Sequence, residues 1–200
     1  MLGTHYTRRH NEVVRSIHLL LCNKYGLTRT RRIRNHSVQE VTENEHAEVR
    51  VDTRIRTTSR VQANRPDIFI YDKKRREIII IEIGITSQDM LTRVEAEKTR
   101  KYDILANEQA ALYKCKARII PYVMTWDGVV SNYHKKHAKE LEITPTVEAY
   151  IQARVLKTTL EAVSFEHRRD SGENGGEQAL PKHAIESIGE ADGGTPITHA

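Results

Sequence analysis

The stretch Ile68-Phe69-Ile70-Tyr71-Asp72-Lys73-Lys74-Arg75-Arg76-Glu77-Ile78-Ile79-Ile80-Ile81-Glu82-Ile83-Gly84-Ile85 decides the fold. Its two apolar, β-branched runs flank a charged turn at 72–76, the pattern of two adjacent strands. The second run, Glu77 to Ile85, is apolar on both faces, which predicts a central strand covered on each side. Glu82 interrupts it. An unpaired carboxylate buried among isoleucines costs several kcal/mol, roughly, unless an opposite charge or a metal ion waits for it. A second acid, Asp67, follows Pro66 at the start of the first run, and fourteen residues separate the two acids. A hairpin of that length brings both carboxylates to one end of a sheet.

Working outward, Thr7 to Tyr25 reads as a helix with Val13, Val14, Ile17, Leu20 and Leu21 on one stripe and Gly26 as its stop. Residues 28–36 form an arginine-rich loop, and 47–56 alternate as a strand with one wet face. Ser87 to Lys114 reads as one long helix capped by Ser87, with Leu91, Val94, Leu105 and Leu112 marking its buried side. Ala117 to Thr125 is a further strand. Val130–Leu141 and Thr146–Phe165 are closing helices, the latter entered through Thr144 and Pro145. The order is helix, three strands, helix, strand, then helices. That order predicts an α/β fold whose mixed central sheet is flanked by helices.

Of the 200 residues, 32 are basic and 27 acidic, a net charge of +5. The stretch from Asp170 to Ala200 holds one basic and six acidic residues, so 1–169 carries 31 basic and 21 acidic ones. The expected organisation is a basic domain over 1–169 and a disordered acidic tail over 170–200. A basic domain points to a polyanionic partner such as nucleic acid. No apolar run reaches the roughly 18–20 residues of a membrane helix, so no membrane partner is expected. Met1 to His5 do not open a secretory signal. Two distant cysteines exclude a disulfide framework and fit a reducing compartment. No glycine-rich phosphate loop occurs, which argues against an ATPase or a dinucleotide enzyme.

The candidate chemistry centres on Asp67 and Glu82. Close carboxylates in a basic domain are what Mg²⁺ takes when it shares a site with phosphate. Lys98 and Lys101 lie one turn apart near the inward stripe of the second helix, where they reach toward Glu82. Glu12, in the first helix, is a candidate third metal ligand. His10 falls on that helix's inner stripe. Cys22 reads as a small core residue. His134-Lys135-Lys136-His137 reads as a solvated helix face.

Asn64-Arg65-Pro66-Asp67 and Glu82 resemble the PD-(D/E)xK nuclease motif. Three stretches more closely resemble the restriction-like endonuclease domain of site-specific non-LTR retrotransposon proteins. They are Arg9-His10-Asn11 with the helix ending Cys22-Asn23-Lys24-Tyr25-Gly26-Leu27, Arg65-Pro66-Asp67-Ile68 with the strand of Glu82, and Glu97-Lys98-Thr99-Arg100-Lys101-Tyr102. Together they span about residues 7–126. The resemblance implies a PD-(D/E)xK core with C-terminal helices and a Mg²⁺- or Mn²⁺-dependent DNA endonuclease. In it Asp67 and Glu82, with Glu12, hold the metal and Lys98 or Lys101 assists. Arg9, His10, Arg29, Arg31, Arg32 and Arg34 contact DNA. Its partners would be DNA and either a second copy of the chain or a separate reverse transcriptase, inside the cell in the nucleus. The sequence departs from the pattern at two places: Gly84 stands where the motif has lysine, and Asn11 where the family has aspartate. The 200 residues hold no reverse transcriptase, so a detached domain, a fragment or a domesticated remnant is expected. Alternatives are an inactive nucleic-acid-binding remnant and another PD-(D/E)xK nuclease, of resolvase or restriction type.

Overall fold

A computed structural model describes residues 2–172. Helix α1 (Leu2–Lys24) is followed by a short 3₁₀ turn (Ile33–Asn35) and four strands: β1 (Val41–Glu43), β2 (Ala47–Val51), β3 (Ile68–Asp72) and β4 (Glu77–Thr86). Helices α2 (Leu91–Lys101) and α3 (Asp103–Tyr113) lead to β5 (Lys116–Thr125), then α4 (His134–Glu140) and α5 (Pro145–Gly172). The sheet has five strands in the order β1-β2-β3-β4-β5. β1 to β4 form an antiparallel meander, and β5 runs parallel to β4. The parallel pairing needs a crossover, which α2 and α3 supply. The fold is therefore α/β, with a mixed sheet flanked by helices.

Period two along β4 separates two cores. Ile79, Ile81, Ile83 and Ile85 join Val13, Val14 and Ile17 of α1, and Ile151 and Val155 of α5, on one face. Ile78 and Ile80 join Phe69, Tyr102, Leu105 and Ala106 on the other, under the loop residues Ile55 and Val61. Glu82 shares the second face with Ile78 and Ile80. The central, doubly covered β4 expected from the isoleucine run is thus present, with every residue from Ile78 to Ile85 buried.

Several local expectations are corrected. The expected long helix 87–114 is two helices broken at Tyr102 (φ −112°, ψ 15°). The break coincides with burial of the Tyr102 ring, whose hydroxyl donates to the Arg65 carbonyl at 2.7 Å. Ser87 does not cap the helix, since 87–90 form a turn and the helix begins at Leu91. Leu112 is exposed, because the inward places near the end of α3 go to Ala106 and Gln109. The expected strand 47–56 stops at Val51, where Asp52 adopts φ +48° and turns the chain. β1 escaped the reading because it is a three-residue, mostly exposed edge strand. Helix α4 begins at His134, and Val130 instead bridges Met124. His134 is fully buried, its ring 4.6 Å from that of Tyr122, so only Lys135 and Lys136 form the wet face.

The compact unit ends at Val163. From Ser164 to Gly172 the chain continues as helix. The acidic tail expected from Asp170 lies, from residue 173 onward, outside the described residues. No helix among the described residues is long and apolar enough to cross a membrane.

The loop from Asp52 to Pro66, which delivers Asp67, is tied to α3 by Glu108. Its carboxylate accepts from the Thr58 hydroxyl at 2.6 Å, from the amides of Thr58 and Ser59, and from the Ser59 hydroxyl at 2.9 Å. These donors, the Thr58 hydroxyl foremost, hold the carboxyl down to about 2. A depressed carboxylate favours the folded loop above its ordinary value, and that contribution is lost as pH falls through about 2. We expect the Glu108 carboxyl carbon to titrate near 2 in an NMR pH series. A midpoint near the ordinary 4.5 would contradict the tether.

Candidate active site

Asp67 and Glu82 meet at one end of the β3–β4 pair. Ile68 is in register with Ile81, which places Asp67 opposite Glu82. The Asp67 amide points at Glu82 Oε2, at 3.4 Å. Asp67 Oδ2 in turn accepts from the Ile83 amide at 2.7 Å. The Glu82 side chain thus faces the Asp67 backbone and the Asp67 side chain holds the strand next to Glu82, so their spacing is a property of the sheet.

Glu82 is 1% exposed. Its Oε1 accepts from Lys98 Nζ at 2.7 Å and from Lys101 Nζ at 2.6 Å. The i, i+3 spacing on α2 aims both ammonium groups at one oxygen. Burial pulls the Lys101 pKa down, but the bond to Glu82 outweighs it and the net shift is upward, so the lysine stays charged. Lys101 also lies over the Tyr102 ring, 4.8 Å from its centroid. Tyr102 is pushed up to about 12, first by burial and then by the Glu82 charge.

Gly84 explains why the lysines come from a helix. A Cβ there would meet both Val123 methyls at 3.1 and 3.2 Å and a Val94 methyl at 3.2 Å. The bare backbone lets α2 settle against β4, and that approach carries Lys98 and Lys101 to Glu82. Gly84→Ala should cost about 1 kcal/mol of stability, and Gly84→Lys about 3. Urea denaturation midpoints measure both, and equal stability of Gly84→Lys and wild type would refute this packing role.

His10 reaches the same end from α1. Its Nε2 lies 3.2 Å from Asp67 Oδ2 and its Nδ1 3.4 Å from Asn11 Oδ1. Burial lowers the His10 pKa, but Asp67 and Asn11 outweigh it, and the net direction is upward. Burial likewise works to raise the Asp67 carboxyl, yet His10, the Ile83 amide and Lys98 hold it below its ordinary value. A cleft of about 570 Å³ opens beside the pair, lined among others by His10, Asn11, Glu12, Asp52 and Asp67.

The other residues singled out from the sequence fall in different places. Glu12 lines the cleft, but its Oε2 accepts two bonds from Arg154 of α5, at 3.0 and 3.1 Å, so it braces two helices. Arg9 is not presented to a ligand. It is buried, and its Nη1 donates to Thr159 Oγ1 at 3.4 Å. Arg29, Arg31, Arg32 and Arg34 are all exposed. Reading along the sequence missed Asp52, which holds Arg65 through its carboxylate at 2.8 Å beside the cleft. In the alternation of 47–56 it reads only as a wet-face residue.

By donor chemistry, the carboxylates of Asp67 and Glu82 suit a hard divalent cation. Lys98, Lys101 and the Asp67 amide hold Glu82, and His10 and the Ile83 amide hold Asp67. Comparison of the chain with protein-family models and with curated proteins gives no match.

Proposed function

We propose that this chain is a metal-dependent DNA endonuclease with a PD-(D/E)xK-like core, resembling the target-nicking domain of non-LTR retrotransposons. The observation that carries the reading is a fully buried glutamate bound by two lysines and set opposite an aspartate at the mouth of a cleft. Buried ionisable groups with specific charge partners beside a cleft are enriched at functional sites. Asp67 and Glu82 would hold Mg²⁺ or Mn²⁺, which when bound supplies an acidified water and charge neutralisation at phosphate. Lys98 and Lys101 fix the Glu82 carboxylate and add positive charge where a phosphodiester gains negative charge. His10 orients Asp67, and the carboxylate favours the protonated form of the imidazole beside the cleft. The exposed arginines at 29, 31, 32 and 34 would grip phosphates, while Arg9 and Glu12 are left to structural roles.

A second reading, a DNA-binding remnant without cleavage, is favoured by Asn11, which stands in the cleft where the resemblance has an acid. Nicking of supercoiled plasmid with and without Mg²⁺ or Mn²⁺ separates the two. Metal-dependent nicking supports the enzyme, and DNA binding without it supports the remnant. For either, replacing Arg31 and Arg32 with alanine should weaken binding and flatten log K against log salt by about 1.8, since each lost phosphate contact removes about 0.9. An unchanged slope would remove these residues from the interface.

A further inference from the structure

A second cluster of reactive side chains lies apart from the carboxylates. His18 and Cys22 sit one turn apart on α1, and His36 closes the 3₁₀ turn that ends the arginine loop. All three are buried. His18 Nδ1 is 2.7 Å from His36 Nε2. Cys22 Sγ is 3.5 Å from His18 Nε2 and 3.9 Å from its Nδ1. Ligand atoms of the three residues all lie within 4.8 Å of one another. A cavity of about 290 Å³ adjoins them, and Thr28, Thr30, Asn35 and Thr42 also line it. Thr42 Oγ1 is buried without a hydrogen-bond partner.

We propose that His18, Cys22 and His36 bind one Zn²⁺, with the cavity beside Thr42 leaving a fourth position for water. Two imidazoles and a thiolate are the donors of zinc, not of Mg²⁺. Bond lengths of about 2.0–2.3 Å in a tetrahedron place ligand atoms roughly 3.3–3.8 Å apart. The spacings of 2.7 and 3.9 Å around His18 Nδ1 bracket that range, and the Cys22–His36 spacing is within 4.8 Å, so shifts of about an ångström close the site. Burial keeps both histidines in the neutral form that ligates, holding His18 down to about 4. The same burial pushes the Cys22 thiol up to about 11, so zinc uptake exchanges the thiol proton for the metal and releases it to solvent. A neutral His–His hydrogen bond beside a thiol is the simpler account of the three residues, but it leaves the buried Thr42 hydroxyl unexplained. Thr42 lines the same cavity as the three ligands, where a water on the metal would give it a partner.

The ion would fasten the arginine loop to α1. Arg15 already holds the same segment, donating from Nε to the His36 carbonyl at 3.0 Å and from Nη2 to the Arg34 carbonyl at 3.2 Å. The proposal does not rest on the nuclease reading.

Untagged full-length chain, stripped of metal under reducing conditions, is titrated with Zn²⁺ and with Co²⁺. About one ion per chain bound with a thiolate-to-cobalt charge-transfer band is expected; an ion at Asp67 and Glu82 has no thiolate and gives no such band. Cys22→Ser should abolish the band and weaken binding of the ion that gives it by more than about 100-fold, while Cys115→Ser and Asp67→Asn leave the band and the affinity of that ion unchanged. His36→Ala, at the loop, is the second variant should Cys22→Ser fail to fold, and it should lose the ion with α1 intact by circular dichroism. Zinc should also slow tryptic cleavage between Arg29 and Arg34. No band-giving uptake by the wild type, a band that survives Cys22→Ser, or a band lost in Asp67→Asn would each overturn the proposal.

Discussion

Asp67→Asn should lower metal-dependent nicking by about a thousandfold, or about 4 kcal/mol of activation free energy, while leaving plasmid binding at low salt intact. The substitution keeps the side chain's shape. Its amide oxygen still accepts from the Ile83 amide, so the tie to the strand next to Glu82 survives. What it loses is the negative charge that a divalent cation needs and that holds His10 at 3.2 Å. The stability cost should therefore be small, about 1 kcal/mol. Plasmid nicking against time, with filter binding as the control, gives both numbers. Cleavage within tenfold of wild type would remove Asp67 from the site. Loss of binding together with cleavage would instead point to a folding defect.

The second large effect is on stability, and it is non-additive. Lys98 and Lys101 converge on the same oxygen of a buried carboxylate. In Lys98→Met or Lys101→Met, the stem still packs and the remaining ammonium still balances Glu82. Lys101, with its side chain 46% exposed, is screened by water, so its loss should cost about 0.5 kcal/mol. Lys98 is the more enclosed, and its loss should cost about 1–2 kcal/mol. Removing both leaves a buried charge without a partner, which should cost about 3–5 kcal/mol. The coupling between the two positions should therefore exceed about 1 kcal/mol. Adding Glu82→Leu to the double variant should restore most of the lost stability, since no charge then remains to be buried. Chemical denaturation of the four proteins tests this, and additive single effects or no rescue by Glu82→Leu would contradict it.

Much of the scaffold was legible because it is written in local spacing. The isoleucine run predicted β4, and the hairpin brought Asp67 and Glu82 together. The i, i+3 lysines predicted a shared target, which is Glu82. These follow from the periods of strand and helix, which a sequence carries directly. The break at Tyr102 was not legible, because the hydroxyl's partner is the Arg65 carbonyl, 37 residues away. Gly84 looked like a missing lysine. In the fold it is the surface on which α2 rests.

The remaining differences share a cause. Glu12 looked available until Arg154, 142 positions later in the chain, proved to hold it. Arg9, given a DNA contact by the resemblance, is buried with its guanidinium at Thr159. Cys22 looked like an inert core residue, and only folding the arginine loop back onto α1 brought His36 to it. The sequence by itself determined most of the elements, the central strand and the pair of acids on its hairpin, since each depends on local spacing. Which charges are free, which are spent on one another, and where a thiol meets two imidazoles were decided by tertiary structure. Those pairings depend on contacts between distant segments, which close only when the two cores pack against the sheet.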